Sequence, residues 1–254
     1  MLIDLYNLRP MKQPVSIQSW CFRHFKTLVE FFPQLKAAGV TATEVCGVHA
    51  NFGDPSTAAD TLAKFNEAGV KIVAIGVEYL TGEYTTDKPR FEWCKIAGVK
   101  HMSISFKPEA MFEGLKNIER LADEFDLQLG IHNHGGYDWL GNPTILQYIF
   151  QHTSKRIGLH IDTAWAIDAG QNPVEMTEKF IDRLVGVHVK DFVYDKAKKP
   201  EDVIIGTGSL DLPKFMGVLK SANFAGPLVI EYEGDEKNPV PALSECVKKL
   251  ASLV

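Results

Sequence analysis

The feature that most constrains this chain is an alternation repeated eight times. A short run rich in Val, Ile and Leu is followed each time by a longer segment of helical period. The runs cover residues 14–19, 40–46, 70–77, 99–106, 128–133, 157–163, 185–190 and 227–232. Helices are predicted at 24–38, 56–68, 88–97, 108–125, 143–152, 173–183, 212–222 and 241–253. Eight strand–helix units in 254 residues leave about 32 residues each, the size of an undecorated (β/α)8 barrel. The competing doubly wound sheet lacks its glycine fingerprint, because no G-x-G-x-x-G follows the first run. The reading is therefore a single-domain α/β barrel over residues 14–254, with a lead-in arm at 1–13.

Punctuation supports the alternation. Gly39, Gly69 and Gly98 each stand between an alanine and a valine at about thirty-residue intervals, where glycine ends a helix in the left-handed conformation. Pro108, Pro143, Pro173 and Pro241 stand near predicted helix starts, where a missing N–H costs nothing. Two connections are long, 49–54 and 191–209, and both follow strands. They belong on the C-terminal face, where barrels of this kind carry their chemistry.

Composition narrows the partners. With 27 Lys and Arg against 32 Asp and Glu, the net charge of −5 opposes a nucleic-acid backbone as ligand. No apolar run approaches the roughly 20 residues of a membrane span. Cys21, Cys46, Cys94 and Cys246 form no C-x-x-C pair and read as reduced, buried thiols. The first residues lack a basic segment followed by an apolar one, so a cytoplasmic location is the expectation. Self-association is left open.

The ends of four consecutive strands are unusual. They read His132-Asn133-His134, His160-Ile161-Asp162, His188-Val189-Lys190 and Glu231-Tyr232-Glu233. Two-residue alternation puts His132 with His134, His160 with Asp162, His188 with Lys190 and Glu231 with Glu233, opposite apolar neighbours. A barrel then points these polar sets inward together. Burying them is costly unless they are paired or bind a metal.

Several segments resemble the xylose isomerase-like barrel superfamily, which contains sugar isomerases, sugar epimerases and endonuclease IV-type enzymes. They are Asp162-Thr163-Ala164-Trp165-Ala166 with Gly170, Val187-His188-Val189-Lys190-Asp191, Gly206-Thr207-Gly208 and Ile230-Glu231. The resemblance implies one divalent metal held by His132, Asp162, His188 and Glu231. Two positions depart from the family pattern. Strand five has His132 where the family usually has a glutamate, and Trp165 stands where epimerases often carry a histidine. A ligand set of two imidazoles and two carboxylates favours Mn, Co, Fe or Zn over Mg.

The resulting expectation is a metal-dependent sugar isomerase or epimerase that abstracts a proton beside a metal-bound carbonyl. Its expected catalytic groups are Glu231, His134 and Lys190. Trp20, Glu44, Asp138 and Trp165 are expected to contact the sugar, and Glu78 joins them as a rim carboxylate. The alternative is a lyase or hydratase acting on 3-keto sugars or 3-keto-glycosides. Losing one carboxylate from a two-base pair makes that rival serious. An endonuclease IV-like nuclease and a metal-free sugar-binding barrel are disfavoured, the first by charge and the second by the four ligand positions.

Overall fold

A computed structural model describes residues 14–254, and the expected arm at 1–13 lies outside the described residues. Among the described residues the strands are β1 (Val15–Gln18), β2 (Ala42–Val45), β3 (Lys71–Leu80), β4 (His101–Phe106), β5 (Gln128–His132), β6 (Ile157–Asp162), β7 (Leu184–Val189), β8 (Phe192–Tyr194), β9 (Pro200–Asp202) and β10 (Leu228–Ile230). All but β8 and β9 close a parallel barrel in the order β1-β10-β7-β6-β5-β4-β3-β2. The intervening helices are α1 (Leu28–Ala37), α2 (Ala58–Glu67), α3 (Tyr84–Ala97), α4 (Glu113–Phe125), α5 (Pro143–Gln151), α6 (Thr163–Asp168), α7 (Pro173–Lys179), α8 (Leu212–Ser221) and α9 (Val240–Ala251). The (β/α)8 barrel read from the alternation is the observed fold. Among the described residues no helix is long and apolar enough to cross a membrane.

The core is a ring of apolar side chains between strands and helices. Phe31 and Leu35 of α1, Phe65 of α2, Phe91 and Trp93 of α3 and Leu121 of α4 are fully buried with Ile75, Ile104 and Ile131 of the strands. Burying a side chain of this size stabilises by roughly 1.5–3 kcal/mol. The repeated glycines behave as their spacing suggests: Gly39, Gly69 and Gly98 all have positive φ, at 97°, 64° and 69°.

Element ends differ from the sequence reading for local reasons. Helix α1 starts at Leu28, not residue 24, because Thr27 and Glu30 form a reciprocal capping box. Helix α3 starts four residues before the expected 88, where the buried Asp87 carboxylate accepts the backbone N–H groups of Thr81 and Gly82. Pro108 opens a 3-10 turn, Pro108–Ala110, rather than α4 itself. The predicted helix 173–183 ends at Lys179, and a second 3-10 turn follows at Ile181–Arg183. The Arg183 guanidinium holds that turn by donating to the carbonyls of Ser154 and Ile157 at 2.7 and 2.9 Å. Two elements have no counterpart in the sequence reading: α6, and the antiparallel hairpin of β8 and β9 inside loop 191–209.

That loop is organised by one buried carboxylate. Asp191 accepts N–H groups from Gly206 (2.8 Å), Gly208 (2.8 Å) and Leu210 (2.9 Å). A Cβ at residue 208 would overlap the Asp191 carboxylate and the Phe192 carbonyl, so the second glycine of Gly206-Thr207-Gly208 lets the backbone close on the acid. Asp191→Ala should leave these donors without an acceptor and lower stability by about 3 kcal/mol. Urea unfolding of the variant beside wild type measures this.

Candidate metal centre

Strands β5, β6, β7 and β10 are consecutive around the barrel. Their register sets Asp162 level with His188 and His188 level with Val229, two residues before Glu231. As a result one ligand atom each from His132, Asp162, His188 and Glu231 lies within 4.8 Å of the other three, and all four residues are buried. His188 Nδ1 is 3.1 Å from both His132 Nε2 and Glu231 Oε2, and 4.0 Å from Asp162 Oδ2. His132 Nε2 is 3.7 Å from Asp162 Oδ2.

These spacings suit a shared cation. Donor atoms bonded at about 2.1 Å to one divalent ion sit about 3.0–3.5 Å apart. Asp162 Oδ2 and Glu231 Oε2 are buried without hydrogen-bond partners. Asp162 spends Oδ1 on the Trp165 N–H (2.8 Å), which starts α6. The Asn133 side chain brackets the Asp162 backbone, accepting its N–H at 2.8 Å and donating to its carbonyl at 3.0 Å. The fixed Oδ2 is left aimed at the cluster. The residues present therefore fit a divalent ion.

Electrostatics point the same way. Burial alone would push the His188 pKa down, but the Glu44 and Glu231 carboxylates outweigh it and hold it well above its usual value. Glu231 is driven the other way. Burial would raise its pKa, and Lys190 and His188 pull it well below the ordinary carboxylate range. Burial and the neighbouring His188 and His132 keep His160 well below its usual value, and so neutral.

A second polar layer lies beneath. Glu44 Oε2 is 3.2 Å from His188 Nε2 and 3.8 Å from His160 Nε2, and Ser103 Oγ donates to Glu44 Oε1 at 2.5 Å. Gly186 makes room for the His160 ring, since a Cβ there would overlap it, and Gly130 makes room for the His160 Cβ and backbone. Above the cluster, Lys190 is buried against Glu233 (2.5 Å), Asp202 of β9 (3.7 Å) and Glu231 (3.9 Å), over the faces of Trp165 and Phe192. Burial pushes the Asp202 pKa up to about 6, against the pull of Lys190. Trp20, 40% exposed, donates its indole N–H to Glu233 at 2.8 Å. His134 stacks on Trp165 at 4.5 Å on the exposed side of His132, and its pKa is lowered by burial and then by His132.

Several of the expected residues are engaged by other groups of the protein. Glu44 is fully buried, and its oxygens face Ser103 and His188. Glu78 pairs with Arg90 of α3 at 2.7 Å, so it belongs to the helix layer and not to the rim. Asp138 is exposed, but its Oδ1 accepts the Leu140 N–H and caps a short 3-10 turn. Lys190 is engaged by three carboxylates rather than free. His160, Ser103, Asn133, Glu233 and Asp202 were not among the expected site residues. Two-residue spacing already sets His160 with Asp162 and Glu233 with Glu231 on inward faces; Asp202 sits in a loop whose path the sequence does not show.

Comparison with known proteins agrees with the architecture. The family model described as xylose isomerase-like TIM barrel matches residues 105–253. An inosose dehydratase of Clostridium beijerinckii is 22% identical over 184 residues, covering 67% of this chain. The chain spans about 60% of that relative's length. Among solved structures, a D-allulose 3-epimerase from Methylomonas sp. superposes with a TM-score of 0.74 at 12% identity, covering 98% of this chain and 100% of the other. A 3-keto-D-glucoside 4-epimerase from E. coli gives 0.71 at 15% identity, covering 96% and 100%. At these identities the two structures share the fold.

The raised His188 pKa has a sign that can be tested. Without metal, its pairing contributes stability that is full below the unfolded value of about 6.5 and is lost as pH rises through the raised folded value. Chelator-treated protein should therefore lose stability on the alkaline side of neutrality. Added divalent ion should offset the loss, because it takes the place of the proton. Urea midpoints across pH with and without chelator read this, and the alkaline decline should be weaker in His188→Asn.

Proposed function

The chain belongs to the xylose isomerase-like TIM barrel family, and from that membership and the site's geometry we propose that it is a divalent-metal-dependent lyase of keto sugars. It removes the proton next to a ketone and expels the oxygen substituent one carbon further on. The observation that carries this reading is the asymmetry of the site. Glu231 is a carboxylate and the most open of the four cluster residues, at 8% exposure against 3% or less for the others. Facing it from β5 are two histidines, His132 and His134, where a two-base exchange would use a second carboxylate.

A divalent ion held by His132, Asp162, His188 and Glu231 would supply Lewis-acid polarisation of the ketone and an adjacent hydroxyl. The chain's own groups divide the proton transfers. Lys190 and His188 keep Glu231 ionised, so its carboxylate accepts the α-proton. The electron pair of the broken C–H bond moves into the new C=C bond as the β C–O bond breaks. His134, at the open edge of the cluster, donates a proton to the departing oxygen, which leaves as water or an alcohol. Trp165, stacked on His134, walls that side. Trp20 at the rim offers an indole face to the substrate. The sequence resemblance to inosose dehydratases, whose named reaction is an elimination, supports this reading. Isomerisation or epimerisation is the second reading. It shares the first step and differs in returning the proton to carbon, for which His134 is also placed.

Glu231→Gln keeps the shape of the side chain but loses its basicity, which typically costs ~10²–10⁴ in rate. Metal content should fall far less than activity. With an inosose or a 3-keto-glucoside in D2O followed by NMR, this variant should lose deuterium uptake at the α-carbon. His134→Asn should keep uptake and lose release of the leaving group. An epimer forming without any unsaturated product would replace the lyase reading with the second one. Uptake and turnover surviving in metal-loaded Glu231→Gln would remove Glu231 as the base.

A further inference from the structure

We infer that Glu44 is a positioning residue: by accepting the Nε2 proton of His188 inside the barrel, it fixes the tautomer whose Nδ1 lone pair faces the cation. This rests on the reading that the four-residue cluster holds a divalent ion.

A neutral imidazole has one N–H and one lone pair, and the partner of one nitrogen decides what the other can do. His188 has carboxylates on both sides. Its Nδ1 faces Glu231 and the cluster, and its Nε2 faces Glu44 Oε2 at 3.2 Å. Glu44 reaches this point from β2, across the barrel, with no exposure of its own. Its other oxygen is occupied by the Ser103 hydroxyl. A carboxylate held by a hydroxyl donor on one oxygen is an acceptor on the other, so Nε2 of His188 carries the proton. Nδ1 is then free to bond an ion. The contrast with His132 is informative. That ring presents Nε2 to the cluster, and its buried Nδ1 has no partner. Of the two imidazoles, only His188 has its remote nitrogen backed by an acid.

One rival uses the same atoms. Donor atoms of Glu44, His160 and His188 also lie within 4.8 Å of one another. A second ion there would have three donors and no exposed ligand among them. It would also require His188 to bridge two ions through both nitrogens, giving up its last proton. The Ser103 hydrogen bond already occupies one Glu44 oxygen. The relay needs none of these adjustments.

Support by a carboxylate behind a ligand histidine is typically worth 10–100-fold in metal affinity. Zinc is a suitable probe because it is diamagnetic. In ¹⁵N-labelled wild type loaded with zinc, two-bond ¹H–¹⁵N spectra should show His188 protonated at Nε2 and bound at Nδ1, with one zinc per chain. Chelator competition should give Glu44→Leu about 10–100-fold weaker zinc binding. Glu44→Gln, which keeps an acceptor oxygen, should lose less. Circular dichroism and melting curves establish that the variants fold. His188 bound through Nε2, two zinc ions per wild-type chain, or unchanged affinity in folded Glu44→Leu would each overturn the inference. The wild-type spectrum decides the tautomer even if neither variant folds. Wild type that binds no divalent ion would instead overturn the metal reading of the preceding subsection.

Discussion

The rest of the site depends on how the barrel disposes of negative charge in its interior. Glu44, Asp162 and Glu231 all approach His188, and Glu233 and Asp202 approach Lys190 directly above. One lysine and one imidazolium face five carboxyl groups. Exposed, such a group would be screened by water; here most members are buried, where repulsion is felt at low dielectric. The raised pKa of His188, held up by Glu44 and Glu231 against its burial, is a symptom of the imbalance. A divalent ion at the point where Asp162 Oδ2, Glu231 Oε2 and the two ring nitrogens meet is the economical remedy. It supplies two charges where the protein alone can supply one proton.

The geometry that creates this problem is carried by strands, and its precision follows from that. Each cluster residue stands at or within one residue of a barrel strand's C-terminal end. The parallel register, not loop folding, therefore sets the mutual distances. Glycines finish the construction. A Cβ at residue 130 would overlap the Cβ and backbone of His160, and one at residue 186 would overlap its ring, so both glycines let β6 carry a histidine at this point. The helices contribute by capping: α6 begins on Asp162, so the same carboxylate that starts a helix presents its second oxygen to the cluster.

Much of this was legible in sequence. The barrel follows from alternation, because eight apolar runs of strand length separated by helical periods admit few closed solutions. Alternation again sets the polar residues at the ends of four consecutive strands on the interior face, and the choice of His132, Asp162, His188 and Glu231 among them is what the family resemblance implies. What sequence did not show depends on distance across the barrel. Glu44 lies on β2 and meets His188 on β7, 144 residues away, so nothing local distinguishes an inward carboxylate that supports a histidine from one that contacts a sugar. Glu78 shows the converse. Beyond Ile75 the pairing of β3 with β4 shifts register, so counting alternate residues from the strand's start gives the wrong face, and Glu78 meets Arg90 on the helix side. The β8–β9 hairpin was hidden because three-residue strands carry too short a pattern to read.

Lys190 is where the strand-built and loop-built parts of the site meet. It follows β7, sits beside Glu231 and Glu233 at the end of β10, and reaches Asp202 on the hairpin. Glu233 in turn accepts from Trp20 after β1, and its N–H donates to Asp202. The ammonium's contacts are all carboxylates and aromatic faces of the protein itself, so its charge is already committed. It lowers the proton affinity of Glu231 beside it. A substrate that displaced the hairpin or drew Glu233 away would weaken the hold on Lys190 and bring the ammonium closer to Glu231 or to the substrate. The hairpin that carries Asp202 is thus coupled through one buried cation to the ionisation of Glu231.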